Sequence, residues 1–298
     1  MRNEGARRKG MKIQNSYSEH ETGTLFLVPT PIGNLEDMTF RAVNTLKEVD
    51  LIACEDTRVT QKLLNHFEID TPKVSYHEHN LHNKTDELIS RLMKGDNIAQ
   101  VSDAGMPSIS DPGVELVAAA VAQDIPVVPL PGANAATTAL IASGLSPQPF
   151  TFYGFLSRKK ADLRAELTEL YDHQETLIFY ESPHRLKEIL KAIVEVFGEE
   201  RQLVLAREVT KRFEEFARGT AKEAMDWSLE TELRGEFVVI VAGNDQITEE
   251  IYWKDWSLLE HVEYKMTYER MSSKDAIKEV AKEREIPKRE VYASYHQN

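Results

Sequence analysis

Cysteine is nearly absent: Cys54 is the single one among 298 residues. That excludes an internal disulfide framework and suits a reducing compartment, here expected to be the cytoplasm. Cys54 closes the apolar run Leu51-Ile52-Ala53-Cys54, where packing is expected of it rather than nucleophilic chemistry. No apolar stretch reaches the roughly 20 residues a membrane-spanning helix needs, so no membrane partner is expected. Positive charge is also short. Lys and Arg number 36 against 49 Asp and Glu, a formal charge of −13, which argues against a non-specific nucleic-acid coat while leaving room for local basic patches. The chain has no G-x-x-x-x-G-K-[ST] for a nucleotide, no G-x-G-x-x-G after its first strand for a dinucleotide, and no G-x-S-x-G elbow. His77, His79 and His82 cluster without Cys partners or helical i, i+4 spacing, so no metal site is expected.

What is present is a chain of about two-domain length, 41% hydrophobic and 29% charged. Residues 1–22 are polar and aperiodic and read as a disordered extension. Arg2, Arg7, Arg8 and Lys9 are not followed by an apolar segment, so they do not read as a secretory signal, and Met11 is an alternative start. From residue 23, short apolar runs alternate with helical patterns. Leu25–Val28, Leu51–Cys54, Ile98–Val101 and Val127–Leu130 are predicted strands, and Val114–Ala122 a buried helix. The alternation indicates βαβ units and a mostly parallel sheet in an N-terminal α/β domain, 23–146. Pro and Gly in Gly144–Pro149 mark a boundary. A second α/β domain, 147–243, holds predicted strands at Thr176–Tyr180, Gln202–Ala206 and Phe237–Val241. The acidic segment 244–263 reads as a linker, and 264–298 as a small helix-turn-helix-like domain. There Ser272 or Ser273 caps one helix and Pro287 opens another.

Three loops sit at the carboxyl ends of predicted strands, where open α/β sheets hold their ligands. They are Val28–Leu35, Val101–Pro107 with Ser110–Gly113 following, and Pro129–Asn134 opening a small-residue helix. Gly33 lets backbone approach a ligand, Asp103 offers a carboxylate, and amides at the helix start offer an anion site. Any one of them is as well explained as a structural turn; three at one sheet edge favour a ligand site.

The loop Pro29-Thr30-Pro31-Ile32-Gly33-Asn34-Leu35-Glu36-Asp37-Met38-Thr39-Phe40-Arg41-Ala42 resembles the signature of the ribosomal RNA small subunit methyltransferase I family, in the tetrapyrrole methylase superfamily. The likeness continues through Cys54–Arg58, Ser102–Gly105, Pro131–Asn134, Phe179–Arg185 and Ala206–Lys211, and runs from about residue 23 to the C-terminus. Pro287 departs from the family pattern, standing where a capping Ser or Thr is expected. The resemblance implies two α/β domains with a cofactor cleft between them and a small C-terminal helical domain. It implies S-adenosylmethionine as cofactor, a cytidine 2′-hydroxyl of 16S rRNA in the small ribosomal subunit as acceptor, and a homodimer.

By position, the resemblance sets Pro31, Ile32 and Gly33 beside the cofactor, with Asp103, Ala104, Gly105 and Met106 at its methionine or ribose part and Asn134 and Ala135 nearby. Tyr180 and Ala242, at strand ends of the second domain, fall on the adenine side. Asp56, Glu181 and Glu208 are candidate general bases. Arg58, with Arg185 and Arg207, is a candidate for holding phosphates or orienting those carboxylates. The alternative for these pairs is that they only tie domains together. Two basic groups are candidate RNA contacts: Arg158, Lys159, Lys160 and Arg164, and in the terminal helices Lys274, Lys278, Lys288 and Arg289. Two other functions compete: a methyltransferase for a tetrapyrrole or other small acceptor, and a non-catalytic RNA-binding assembly factor.

Overall fold

The structure is a computed structural model that describes residues 11–16, 18–245, 253 and 256–296. The expected disordered extension therefore lies partly outside the described residues. Its described part is irregular but not detached: the Gln14 side-chain amide donates to Val127 O at 2.9 Å and accepts from Val127 N–H at 2.9 Å.

The first half holds strands β1 (Leu25–Leu27), β2 (Leu51–Cys54), β3 (Lys73–Ser75), β4 (Ile98–Val101) and β5 (Val127–Pro129). Among them run helices α1 (Phe40–Glu48), α2 (Thr57–His66), α3 (Leu81–Met93), α4 (Val114–Ala122) and α5 (Ala135–Ser143). The sheet order is β3-β2-β4-β1-β5 and every pairing is parallel. β2 and β4 are buried at every residue, because helices cover both faces of such a sheet and apolar side chains are needed on each. Ile52 and Cys54 pack with Leu46 and Leu64 on one face, and Leu51 and Ala53 with Leu88 and Leu92 on the other. The period of two sorts neighbouring residues to opposite cores.

The second half holds β6 (Phe150–Gly154), α6 (Lys160–Leu170), β7 (Thr176–Glu181), α7 (Leu186–Phe197), β8 (Gln202–Arg207), β9 (Glu215–Thr220), α8 (Ala221–Glu230) and β10 (Phe237–Val241). Its order is β6-β7-β10-β8-β9, and only β6 and β7 run parallel. The two sheets, expected as separate domains 23–146 and 147–243, fall in one compact unit ending at Gly243. Helix α5 is the reason. It follows the last strand of the first sheet, yet its Ala136, Ala139 and Leu140 pack on Ile178, Val204, Val238 and Ile240 of the second.

The remaining residues, Asn244–Asn298, form a unit of their own. The acidic linker expected over 244–263 is overturned in its second part, because α9 (Leu258–Thr267) begins inside it. Ser257 accepts from Glu260 N–H while the Glu260 carboxylate accepts from Ser257 N–H, a reciprocal cap. An acidic residue that reads as linker composition is thus a helix-starting group. Val262 packs with Ile277 and Val280 of α10 (Ser273–Glu283) and Val291 of α11 (Lys288–His296). Ser272 caps α10 by accepting from Asp275 N–H, as expected.

Candidate functional site

The site begins where two loops of the first half lock together. Thr30 N–H donates to Gly105 O and Gly105 N–H to Thr30 O, both at 3.0 Å. The Ser102 hydroxyl adds a hydrogen bond to Gly105 O at 3.1 Å. Gly105 has φ +77°, the left-handed region that favours glycine, and a Cβ there would stand 3.3 Å from Ile32 Cγ2. These bonds hold Ala104, Gly105 and Met106 at a fixed height above the sheet edge.

The start of α5 is closed from two sides. Asn134 Oδ1 accepts Thr137 N–H at 3.0 Å, and the Tyr180 hydroxyl of β7 accepts Ala136 N–H at 3.1 Å. Two amides expected to receive an anion are therefore taken up within the protein. Tyr180 is at the same time pinned to the opposite half.

Between these loops and the second sheet lies a cavity of about 370 Å³, within the usual range for a small-molecule site, roughly 300–1,000 Å³. The first half lines it with Ile32, Ala104, Gly105, Met106, Asn134 and Ala135, six of the residues singled out in the sequence, and with Ile109, Ser110 and Asp111. The second half contributes Phe155, Tyr180, Glu181, Ser182, Glu208, Val209, Lys211, Glu236, Phe237 and Val238.

Its carboxylates differ in state. Glu181 is only 4% exposed. Its Oε1 accepts Ser182 N–H at 2.7 Å and the Ser182 hydroxyl at 3.2 Å, while Oε2 has no hydrogen-bond donor among the described residues and stands 3.6 Å from Arg185 Nη1. Burial raises its pKa above the ordinary glutamate value, against the opposing pull of those hydrogen bonds and the Arg185 charge. Burial also raises Asp111, with the negative charge of Asp103 acting in the same direction. Burial presses Glu208 upward too, but the Lys211 ammonium at 2.8 Å and Glu236 N–H at 3.0 Å outweigh it, so its pKa is lowered. Lys211 also pairs with Glu236 at 2.8 Å.

The other expected site residues lie apart from this lining. A Cβ on Gly33 would overlap Lys211 Cγ, so the glycine makes room for the lysine stem rather than for a ligand. Pro31 is adjacent but outside the lining. Asp103 is occupied by Asp56 N–H, which donates to its Oδ1 at 3.1 Å. Asp56 caps α2 and grips Arg58, with Arg58 Nη2 to Asp56 Oδ2 at 2.6 Å; these bonds lower its pKa to about 2. Asp56, expected as a candidate general base, thus stands outside the cavity lining as the cap of α2, with Arg58 as its exposed partner. Arg185 donates to Leu156 O and Ser157 O, and Arg207 to Arg234 O. Ala242, expected on the adenine side, lies outside the lining. β10 pairs antiparallel to β7 with Phe237 opposite Glu181 and Val241 opposite Leu177, so the beginning of β10 faces the cavity and Ala242 lies beyond the far end.

Of the expected RNA contacts, Arg158 and Lys159 are exposed at the start of α6. The run is not bare: Lys159 stands 4.0 Å from Asp162, Lys160 3.9 Å from Glu188, and Arg164 pairs with Glu195. Lys274, Lys278, Lys288 and Arg289 are exposed and form no ion pair among the described residues. Cys54 is buried, donates to Val74 O, and has its thiol pKa raised by burial. No group of three or more His, Cys, Asp or Glu suited to a metal occurs among the described residues, and none of their helices is long and apolar enough to cross a membrane.

Comparison with known proteins places this geometry. The family model for tetrapyrrole (corrin/porphyrin) methylases matches residues 24–225. Ribosomal RNA small subunit methyltransferase I of Bacillus subtilis is 55% identical over 292 residues, covering 96% of this chain and 99% of that protein. The protein of that name from Streptococcus pyogenes serotype M1 is 50% identical, covering 96% and 99%. Among solved structures, uroporphyrin-III C-methyltransferase from Thermus thermophilus complexed with S-adenosyl homocysteine aligns with a TM-score of 0.52 at 19% identity, covering 74% of this chain and 97% of that one. Diphthine synthase aligns at 0.56 and 12% identity, covering 74% and 90%. At such identities these two likenesses bear on the fold alone.

Proposed function

Because this chain belongs to the tetrapyrrole methylases, and within them to the ribosomal RNA small subunit methyltransferase I family, we propose that it methylates the 2′-hydroxyl of a cytidine in 16S rRNA, using S-adenosylmethionine. The observation that carries the chemical part is Glu181: a buried carboxylate with a raised pKa and one oxygen free of donors among the described residues, in the wall of a ligand-sized cavity.

The lining suits the cofactor. Apolar Ile32, Met106, Val209 and Val238 offer a surface for an adenosyl group, and Asn134, Ser110 and Asp111 offer hydrogen-bonding groups for its ribose and amino-acid parts. When bound, S-adenosylmethionine would supply an electrophilic methyl group, with a neutral thioether as its leaving group. The first half holds and aligns, since in-line displacement depends on positioning. Glu181 Oε2 takes the hydroxyl proton, and a carboxylate with a raised pKa is a better base for this than Asp56 at about 2. Arg185, 3.6 Å from that oxygen, keeps the ionised form available. Glu208, held by Lys211, shapes the wall. Exposed Lys274, Lys278, Lys288 and Arg289, together with Arg158 and Lys159, are the basic side chains offered to RNA phosphates. A homodimer and a cytoplasmic location are carried over from the family resemblance.

The test is transfer of labelled methyl from S-adenosylmethionine to unmodified small ribosomal subunits, with naked 16S RNA alongside. Because a 2′-O-methyl group blocks alkaline cleavage at its own nucleotide, label in an alkali-resistant dinucleotide is expected. Cofactor binding without transfer would redirect the search to a tetrapyrrole or other small acceptor. RNA binding with no cofactor affinity would favour an assembly factor.

A further inference from the structure

Strand β6 contains an irregularity that the cavity explains. In an unbroken strand, residues three apart lie on opposite faces. Yet Phe152 and Phe155 both meet the Tyr180 ring, at centroid distances of 4.9 and 5.7 Å. Tyr153 meets Phe179, the neighbour of Tyr180 on the other face of β7, at 5.7 Å, and Leu156 is buried in the core that contains Phe179. The pairing of β6 with β7 slips between Phe152 and Gly154, and Gly154 has φ +84°. This bulge, at a residue only glycine fills without strain, turns Phe155 onto the Tyr180 face. Bulges commonly re-aim a side chain beside an active site.

The re-aimed ring lines the cavity and is 57% exposed; Ile109, from a loop of the first half, lines the same cavity and is 55% exposed. Exposed apolar residues are ordinary taken singly. Here two of them, one from each half of the unit, line a cavity that also holds Glu181, 4% exposed. Tyr180, fixed by its hydrogen bond from Ala136 N–H, backs one of them. A ribose hydroxyl reaches a buried carboxylate only if its nucleotide leaves the RNA stack, and the base it carries then needs a new surface to stack on.

We propose that Phe155, backed by Tyr180, is the stacking platform for the target nucleobase, with Ile109 as its apolar counterpart from the first half. This rests on the rRNA reading above and adds a specificity-determining residue to it. The Phe155→Ala, Phe155→Trp and Ile109→Ala variants of the full chain are compared with wild type. The readouts are KM for unmodified small subunits at saturating S-adenosylmethionine, kcat, cofactor Kd by titration calorimetry, and oligomeric state by sedimentation. Phe155→Ala is expected to raise KM about tenfold, in line with the usual cost of losing one base–aromatic stack, with cofactor Kd and sedimentation unchanged. Phe155→Trp restores KM, which a merely structural role would not predict, and Ile109→Ala gives a smaller rise in the same direction. An unchanged KM overturns the assignment. So does a parallel loss of cofactor affinity, which would make Phe155 an adenine contact, and so does a change in sedimentation, which would make it a contact between copies. Wild type that binds cofactor but transfers nothing to rRNA overturns the acceptor reading and the platform together; wild-type transfer with indifferent variants overturns the platform alone.

Discussion

The two halves of the α/β unit meet at one cavity with different materials. The first half brings backbone and small side chains: Ala104, Gly105, Asn134 and Ala135, held by the Thr30–Gly105 bridge and by parallel strands buried throughout. The second brings aromatic and ionisable groups: Phe155, Tyr180, Glu181, Glu208, Lys211 and Glu236, on a sheet that is mostly antiparallel. A wall of backbone and glycine conforms closely to one ligand and carries little chemistry. A wall that sets buried Glu181 beside the Lys211-paired Glu208 and Glu236 carries ionisable groups in different states. Under the proposed function the difference reads as a division of labour, with the first half holding the polar parts of the cofactor and the second supplying the proposed base.

The largest expected effect comes from removing the base. Glu181→Gln should lower kcat by about 10²–10⁴-fold with cofactor Kd unchanged, measured by single-turnover methyl transfer and calorimetry. It should also match or exceed wild type in Tm at neutral pH. A folded-state pKa raised above the ordinary 4.5 means that the stability it contributes is present below that value and is lost as pH rises through the raised one. The amide has no such loss to bear.

The complementary variant acts on the first half. Gly105→Ala must hold φ +77° with a Cβ, at a cost of ~1–2 kcal/mol, and its methyl would press on Ile32 at 3.3 Å. Cofactor Kd should rise and Tm fall, while saturating cofactor recovers most of kcat. A kcat loss that cofactor cannot repair would break the division between halves.

The smallest effect is expected at Asp56. As a cap and partner of Arg58 outside the cavity, its replacement by Ala should lower Tm slightly and leave kcat within the same order of magnitude. The lowered pKa, about 2 against an ordinary 3.8, implies a contribution to stability that is present above 3.8 and is lost as pH falls toward 2. Thermal melts of both proteins across acid pH should therefore converge at the acid end. A kcat loss comparable to that of Glu181→Gln would return Asp56 to the chemistry.

The sequence showed these regions unequally, for physical reasons. Apolar β-branched runs such as Phe237–Val241 and Ile98–Val101 announce buried strands, and both are strands. β3 and β9 are sheet edges with half-exposed, polar residues, so no apolar run marks them. β6 hid behind the Pro- and Gly-rich segment before it, although the aromatic spacing Phe150-Thr151-Phe152-Tyr153-Gly154-Phe155 carried its signal. α9 was masked by acidic composition, although Ser257-Leu258-Leu259-Glu260 spells a capping box. Strand direction is not written in a strand's own residues, so the antiparallel course of β10, which carries Ala242 away from the cavity, is visible only in the fold. Asp56 and Glu181 each sit in a motif with a nearby arginine. Burial and arginine geometry separate them: Asp56 caps a helix and holds Arg58 at 2.6 Å, while buried Glu181 stands 3.6 Å from Arg185. The motifs hold several of the residues that line the cavity, and the burial of Glu181 is visible only in the fold.

The most direct test of this division is the pH dependence of single-turnover methyl transfer, with RNA and cofactor saturating, in wild type and in Glu181→Gln. An acid limb lying above the ordinary glutamate value of 4.5, present in wild type and absent from the residual activity of the variant, is the predicted result. The same limb in both proteins, or a variant that retains full activity, would contradict the assignment of Glu181 as the proton acceptor.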